Sequence, residues 1–423
     1  MQRRVFMKNG ALALVTMGLS PTLLRRTVFA QDLVRGSASL GNARGKVLIC
    51  LFQRGAADAL NVVVPHGEPA YYRLRPTIAV PRPTLATANS AIDLDGFFGL
   101  HPSLAPLKPL WTQGILAPVH AVGSPSSTRS HFDAQDYMES GTPDRKSTKD
   151  GWLNRYLALR GTCEDCGPGK PDSLFRAVAL SQQTPRILMG PAPAVAINSF
   201  EEFAVRASGA AAENIEAMYA TGRADVVHAA GGEMVEAMKA LRASNPGQYQ
   251  PRNGAEYPRS PFGQRLRQIA QLIKADLGLE IAFADVGGWD THVNQGGATG
   301  QLAARLGDFS AAISALVTDM GDRMADVVIL TMSEFGRTAR QNGSGGTDHG
   351  HAGCLFVIGG SVKGGKVHGR WPGLEAEQLN EGRDLALTTD FRSVFGEVVR
   401  KHLGATALDR IFPGFSPSEI GVI

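Results

Sequence analysis

The sequence predicts an α/β fold: a largely parallel central sheet flanked by helices, with one helical insertion. Three observations lead there. Five short segments are predominantly apolar along their whole length: "KVLICLFQ" (46–53), "ILAPVHAVG" (115–123), "LEIAFADVGG" (279–288), "DVVILTMS" (326–333) and "CLFVIGG" (354–360). A strand covered on both faces needs no polar alternation, so such runs read as strands of a parallel sheet. Longer segments with a helical apolar period lie between them, and this alternation is how crossover helices lay strands side by side. The composition, 43% hydrophobic and 19% charged over 423 residues, is enough for one large core.

Taken in order, the first strand is bounded by Gly45 and Gly55. "HPSLAPLKPLWTQG" (101–114) places apolar residues at 104, 107, 110 and 111, the spacing of one helix face. The strand at 115–123 runs into "SPSSTRSHFDAQD", whose hydroxyls stand ahead of a helix. Residues 195–260 are alanine-rich and helix-prone before a tail rich in Pro, Gly and Asn, and read as a helical insertion covering the sheet. "SPFGQRLRQIAQLIKADLG" and "GQLAARLGDFSAAISALVTDMGDRM" are the clearest helices, each ending at or next to glycine. Residues 31–423 are expected to form a single domain.

The first thirty residues are expected to be an export signal. Paired Arg3 and Arg4 precede Phe6 and Lys8, an apolar run extends from Ala11 to Leu24, and "VFA" before Gln31 suits a cleavage site. The order Arg-Arg-x-Phe-Met-Lys resembles the bacterial twin-arginine signal, which implies a folded, periplasmic or otherwise exported protein. The apolar run is short for a span, so the mature chain is expected to carry no stable membrane segment. Net charge is +4 with no dense Lys/Arg run, which argues against a nucleic-acid partner. Cys50 and Cys354 lie in apolar runs and read as buried small hydrophobes; Cys163 and Cys166, in an oxidising compartment, read as a local disulfide. No dinucleotide fingerprint succeeds the first strand and no C-x-x-C-H motif is present, so an exported oxidoreductase has little support.

In open parallel sheets ligands bind beyond the carboxyl ends of the strands. The strand ends of this chain are chemically rich: Arg54 and Asp58, then "SSTRSH", then Asp290 and His292 in "WDTH", then Glu334 and Arg337, then "TDHGH". Asp290 and His292 stand two apart, as do His349 and His351, and an extended segment turns such residues to one side. Mixed Asp/His sets suit zinc, with manganese and iron next and calcium last. Ser126, Ser127, Thr128 and Ser130 offer either a nucleophile at a helix N-terminus or plain N-caps.

The segment 101–143, "VVILTMSEFGRT" and "GGTDHGHAGCLFVIGGSVKGG" resemble the nucleophile segment, the ligand-bearing strand and the glycine loop of sulfatases and alkaline-phosphatase-like enzymes. With the leader, "RGAADALN", "GGWDTH" and "SGGTDHGH", the chain resembles a bacterial family of exported sulfatase-like proteins whose function is not established, over roughly 45–400. The resemblance implies an alkaline-phosphatase-like fold and a metal-dependent hydrolase of phosphate or sulfate esters, acting on a small anionic substrate. It further implies Ser130 as nucleophile and Asp58 as an early metal ligand. Asp290, His292, Asp348, His349 and His351 would supply further ligands, with Glu334 in contention for one position. Arg54, Arg129 or Arg337 would hold anionic oxygens. Gln53 and Arg54 stand at the end of the first strand where the superfamily places its first Asp, and Asp-His arrives at 348–349 rather than at Glu334. Those departures leave a second expectation open, a catalytically inactive sulfatase-like binding or envelope-assembly protein.

Overall fold

The computed structural model describes residues 45–160, 173–200 and 248–423. The leader expected over 1–30, the Cys163/Cys166 pair and residues 201–247 of the expected insertion lie outside the described residues. The chain is α/β, with helices and a mostly parallel central sheet of eight strands. The strands are β1 (Val47–Gln53), then β2 (Val63–Val64), β3 (Ile92–Asp93) and β4 (Gly99–Leu100), which form a separate small sheet, then β5 (Leu116–Gly123), β6 (Ala177–Leu180), β7 (Val195–Ala196), β8 (Ile281–Val286), β9 (Val327–Met332), β10 (Gly353–Gly359) and β11 (Thr389–Asp390). The main helices are α1 (His131–Ser140), α2 (Trp152–Arg160), α3 (Pro261–Lys274), α4 (Gln301–Met320) and α5 (Phe391–Lys401).

Contacts group the chain into two compact units. The larger comprises Leu48–Thr148, Arg252–Leu266 and Ala284–Ile423. Its strands run in the order β11-β5-β10-β9-β1-β8. Every residue of β1, β5, β9 and β10 is buried, which is why these segments are predominantly apolar, with Gln53, His120 and Thr331 the buried polar exceptions. Each fully buried Leu, Ile or Phe contributes roughly 1.5–3 kcal/mol. Cys50 and Cys354 are free and buried, as their apolar settings lead one to expect. Helix α4 buries a stripe from Leu302 to Met320 and fixes its partner turn by Ser310 Oγ donating to the Ser103 carbonyl at 2.8 Å. The helix expected over 101–114 is instead a 3-10 stretch, Pro102–Leu107, running into a short α-helix, Lys108–Thr112. Pro106 and Pro109 remove the N–H donors that a continuous α-helix would need.

One strand departs from the parallel expectation. β10 runs antiparallel to both β5 and β9. Its start therefore lies beside the end of β5 (Gly353 opposite Val122), and residues 333–352 connect β9 to β10 without crossing the sheet. The ladder resumes beyond the strands: Gly336 N–H donates to the His351 carbonyl, Gly350 N–H donates to the Gly336 carbonyl, and Arg337 bridges His349. An antiparallel pair needs only this local return, whereas a parallel one would need a crossover.

The smaller unit holds the described parts of Met1–Val47, Lys149–Pro251 and Arg267–Phe283. There β6 and β7 pair in parallel, Val178 opposite Val195. Residues 195–196 are thus a strand and not the start of a helical insertion, because Val195 and Ala196 extend an apolar edge. The Asn154 amide donates to the Leu188 and Ala192 carbonyls at 2.8 Å, and Glu280 accepts from Tyr156 and Arg176.

Asp58, expected as a metal ligand, has a different role. It is 1% exposed, and the buried Arg75 grips both its oxygens at 2.5 and 2.9 Å while Gln295 donates to it at 2.6 Å. The Arg75 fork also donates to Asn61 Oδ1 and to the Thr338 and Ala339 carbonyls. A two-pronged guanidinium suits a carboxylate better than any point charge, and with its oxygens filled Asp58 is a buried counter-ion. Arg75→Ala should therefore lower the unfolding free energy by about 3–5 kcal/mol in urea denaturation, since it strands Asp58 in the core. A change under about 1 kcal/mol would show that the pair is not holding these segments.

Candidate metal centre

The sheet edge where β5, β8 and β9 end, and where β10 begins, gathers the polar side chains. Ser130 caps α1, so His131 occupies the first helical position with Gln135 one turn on, on the same face. Trp289, fully buried, anchors the "WDTH" loop by donating from its indole to the Val286 carbonyl at 2.9 Å and by an edge contact with Phe309. Gln295 ties that loop to the next, accepting from Thr291 and Thr347 hydroxyls at 2.8 Å each. Gly346 and Gly350 do not use unusual backbone angles. They are small because a Cβ would collide with the His292 carbonyl oxygen and the Arg337 carbonyl carbon, respectively. Gly55 does require its left-handed φ of +119°, and it too packs closely against the Asp290 backbone.

Four side chains converge. His131 Nε2 and His292 Nε2 each lie 3.0 Å from His349 Nε2. Asp290 Oδ1 is 2.9 Å from His292 Nε2 and 3.2 Å from His349 Nε2, and Asp290 Oδ2 is 3.5 Å from His131 Nε2. Among the described residues, His131, Asp290 and His349 form the group of potential ligands whose atoms lie within 4.8 Å of one another, and His292 adjoins it.

The opposite nitrogens define the tautomers. His131 Nδ1 faces Glu334 Oε1 at 2.8 Å, His292 Nδ1 faces Asp348 Oδ1 at 2.9 Å, and His349 Nδ1 faces the Arg129 carbonyl at 2.9 Å. All three partners accept, so in the neutral imidazole each Nδ1 carries the proton and Nε2 presents a lone pair. Arg337 already balances Asp290 at 2.5 Å and reaches His292 Nε2 at 3.5 Å, but three lone pairs this close still repel one another unless a proton or cation stands among them. Histidines fixed from behind by carboxylates or carbonyls are the arrangement that orients imidazoles toward a metal.

Charge around the ring is graded. The hydrogen bond that Glu334 accepts from His131 raises this imidazole above its ordinary value against the opposing effect of burial. Burial lowers His349, and neighbouring His131 lowers it further. Burial pushes the Glu334 carboxyl up, but donors from His131, Gln135 and Gly55 outweigh it and hold it below the usual range. Asp290 is likewise pushed up by burial and pulled lower overall by Arg337. Hydrogen bonds from Asn342 and His292 keep Asp348 low.

Of the residues expected from sequence, Asp290, His292 and His349 come together. Glu334 and Asp348 stand behind them, orienting imidazoles: Glu334 is fully buried, and Gly55 N–H, Gln135 and His131 already fill its Oε1. His351 turns instead toward Asp384, Arg129 and Glu381, and burial lowers it. Arg129 pairs with Glu381 and Asp384 at 2.7 and 2.8 Å, and Arg54 with Asp285 and Glu139 at 2.6 and 3.0 Å. Arg337, fully buried, donates to Asp290 at 2.5 Å and to four carbonyls. Ser130 Oγ accepts from Asp133 N–H at 3.5 Å as the helix cap. The member of this cluster that sequence reasoning did not name as a candidate ligand is His131. Its place after the end of β5 was the available signal.

No curated protein and no solved structure matches this chain. Residues 45–410, which take in the whole cluster and the segments that hold it, match a family described as "Protein of unknown function (DUF1501)", and the chain belongs to that family.

Proposed function

We propose that the chain is an exported, metal-dependent hydrolase of phosphate or sulfate esters, akin to the alkaline phosphatase/sulfatase superfamily, in which His131, Asp290, His292 and His349 hold one divalent ion. The carrying observation is the convergence of three imidazole Nε2 atoms on one carboxylate, each imidazole fixed through Nδ1. A three-nitrogen, one-oxygen set suits zinc first, with manganese or iron next and calcium least. A divalent ion there supplies positive charge to the ester oxygens. Asp290 keeps its orientation through Arg337. Ser130, next in sequence to His131 and at the N-terminus of α1, is the proposed nucleophile, favoured by the helix's free N–H groups. Its Oγ forms a bond to phosphorus or sulfur as the bond to the alcohol oxygen breaks. The alcohol leaves with a proton, and water then releases the inorganic anion and restores the Ser130 hydroxyl.

One observation favours the second reading, a metal-holding binding or envelope-assembly protein without hydrolysis. The arginines expected to hold anionic oxygens are engaged with protein partners, Arg54 with Asp285, Arg129 with Asp384 and Arg337 with Asp290. Turnover separates the two readings.

Protein purified without chelators should carry about one equivalent of zinc by elemental analysis, and His349→Ala should lose most of it. EDTA should lower the melting temperature, since saturation at ~1,000 times Kd is worth about 4 kcal/mol. Metal content unaffected by His349→Ala would sink the centre.

Zinc needs the imidazoles unprotonated. The raised His131 value means a proton displaces the ion there first as pH falls, at a higher pH than an ordinary imidazole would allow. Glu334→Gln should weaken zinc about 10–100-fold at pH ~8, where protons no longer compete. An unchanged affinity in a competition titration would remove Glu334 from the support of His131.

Against a panel of aryl phosphates, phosphodiesters and sulfates, Ser130→Ala should cut turnover about 10³-fold or more while retaining zinc. Full activity in that variant would assign the nucleophile elsewhere.

A further inference from the structure

Beside the cluster the larger unit holds a cavity of about 420 Å³, within the size range of small-molecule sites. Two of its walls belong to the residues that orient the histidines. Asp348, which accepts from His292 Nδ1, lines it, and so does Arg383, which donates to the His349 carbonyl. A molecule in this cavity therefore lies one side chain away from the ring of imidazoles.

The lining has an uneven charge balance. Arg73 and Glu375 neutralise each other at 2.6 Å, and Asp348 is already occupied by His292 and Asn342. Arg340, by contrast, is exposed, and its guanidinium makes no hydrogen bond or ion pair among the described residues. Leu374 and Leu379 supply an aliphatic wall, and the lining contains no aromatic ring on which a nucleobase could stack.

We propose that this cavity receives the alcohol portion of the ester, and that this portion is a sugar-sized, non-aromatic alcohol carrying its own negative charge. This rests on the hydrolase reading above for the word ester, but the anion subsite stands on the cavity alone. Arg340 meets the second charge, Leu374 and Leu379 meet the carbon frame, and Asp348 is the wall nearest the cluster. Arg340 is a specificity residue and takes no part in holding the cluster.

Calorimetric titration of the protein as purified with glucuronate, and with glucose as the uncharged control, tests the subsite. Glucuronate should bind about tenfold or more tightly than glucose, and Arg340→Ala should bring it to the glucose level, one charge-assisted hydrogen bond being worth that ratio. Zinc content and melting temperature should not change, because Arg340 is exposed. Equal affinities for the two sugars, or a glucuronate affinity untouched by Arg340→Ala, would overturn the proposal. In a second arm, glucuronic acid 1-phosphate should show a KM about tenfold below that of glucose 1-phosphate, with the gap lost and kcat kept in Arg340→Ala. Selective glucuronate binding without turnover of either ester would support the subsite and count against the hydrolase reading, whereas turnover of both esters with equal KM would overturn the subsite alone.

Discussion

Everything at the cluster depends on where the Arg337 guanidinium sits. It is buried, and its donors reach the Gly55, Ala56, Trp289 and Thr347 carbonyls together with Asp290 Oδ1. Those acceptors come from three separate connections: the turn after β1, the loop after β8, and the loop before β10. No single hydrogen bond would hold three loops in register, but a rigid planar fork with five N–H groups does so at once. Burying such a charge is costly unless every donor is satisfied, which makes the arrangement all-or-none. Asp290 serves twice in consequence. It balances Arg337 on one side and faces the imidazoles on the other.

The antiparallel insertion of β10 performs the complementary task. Because β9 and β10 form a local return, Arg337 on the outgoing side lies against His349 on the incoming side. A purely parallel arrangement would have carried "TDHGH" to the far end of the sheet, away from Asp290. Close backbone packing at Gly346 then lets the return lie flat against the "WDTH" loop, and at Gly350 it brings the two sides of the return together at Arg337.

Much of this was legible beforehand. The five central strands are announced by predominantly apolar runs, because a strand covered on both faces needs no polar alternation. Asp290 and His292 were legible as a pair from their spacing, and His349 from its position before a strand. The direction of β10 was not, since an apolar run says nothing about which way its neighbours point. His131 was hidden for a related reason: its partners are distant in sequence, and it reads locally as one residue of a helix start. Asp58 and Glu334 read as ligands in the sequence because a carboxylate at a strand end is equally fit to face an ion, an arginine or an imidazole N–H. Only three-dimensional neighbours such as Arg75 and Gly55 decide among these. In the glycine-rich opening of that loop Gly346 is fixed by a close approach to the His292 carbonyl, whereas Gly345 uses a left-handed φ of +64°.

The histidines are anchored crosswise. The connection after β5 contributes His131 as a side chain and the Arg129 carbonyl as the support of His349, while His349 itself lies 218 residues further along the chain from His131. An ion gripping both would act as a removable crosslink closing a loop of that length. Closing so long a loop carries a large entropic cost in the unfolded chain, and lengthening it further changes that cost only slowly. The ion's grip would then be a late event in folding, possible only after the sheet edge exists, and its release would loosen the two ends of the loop together.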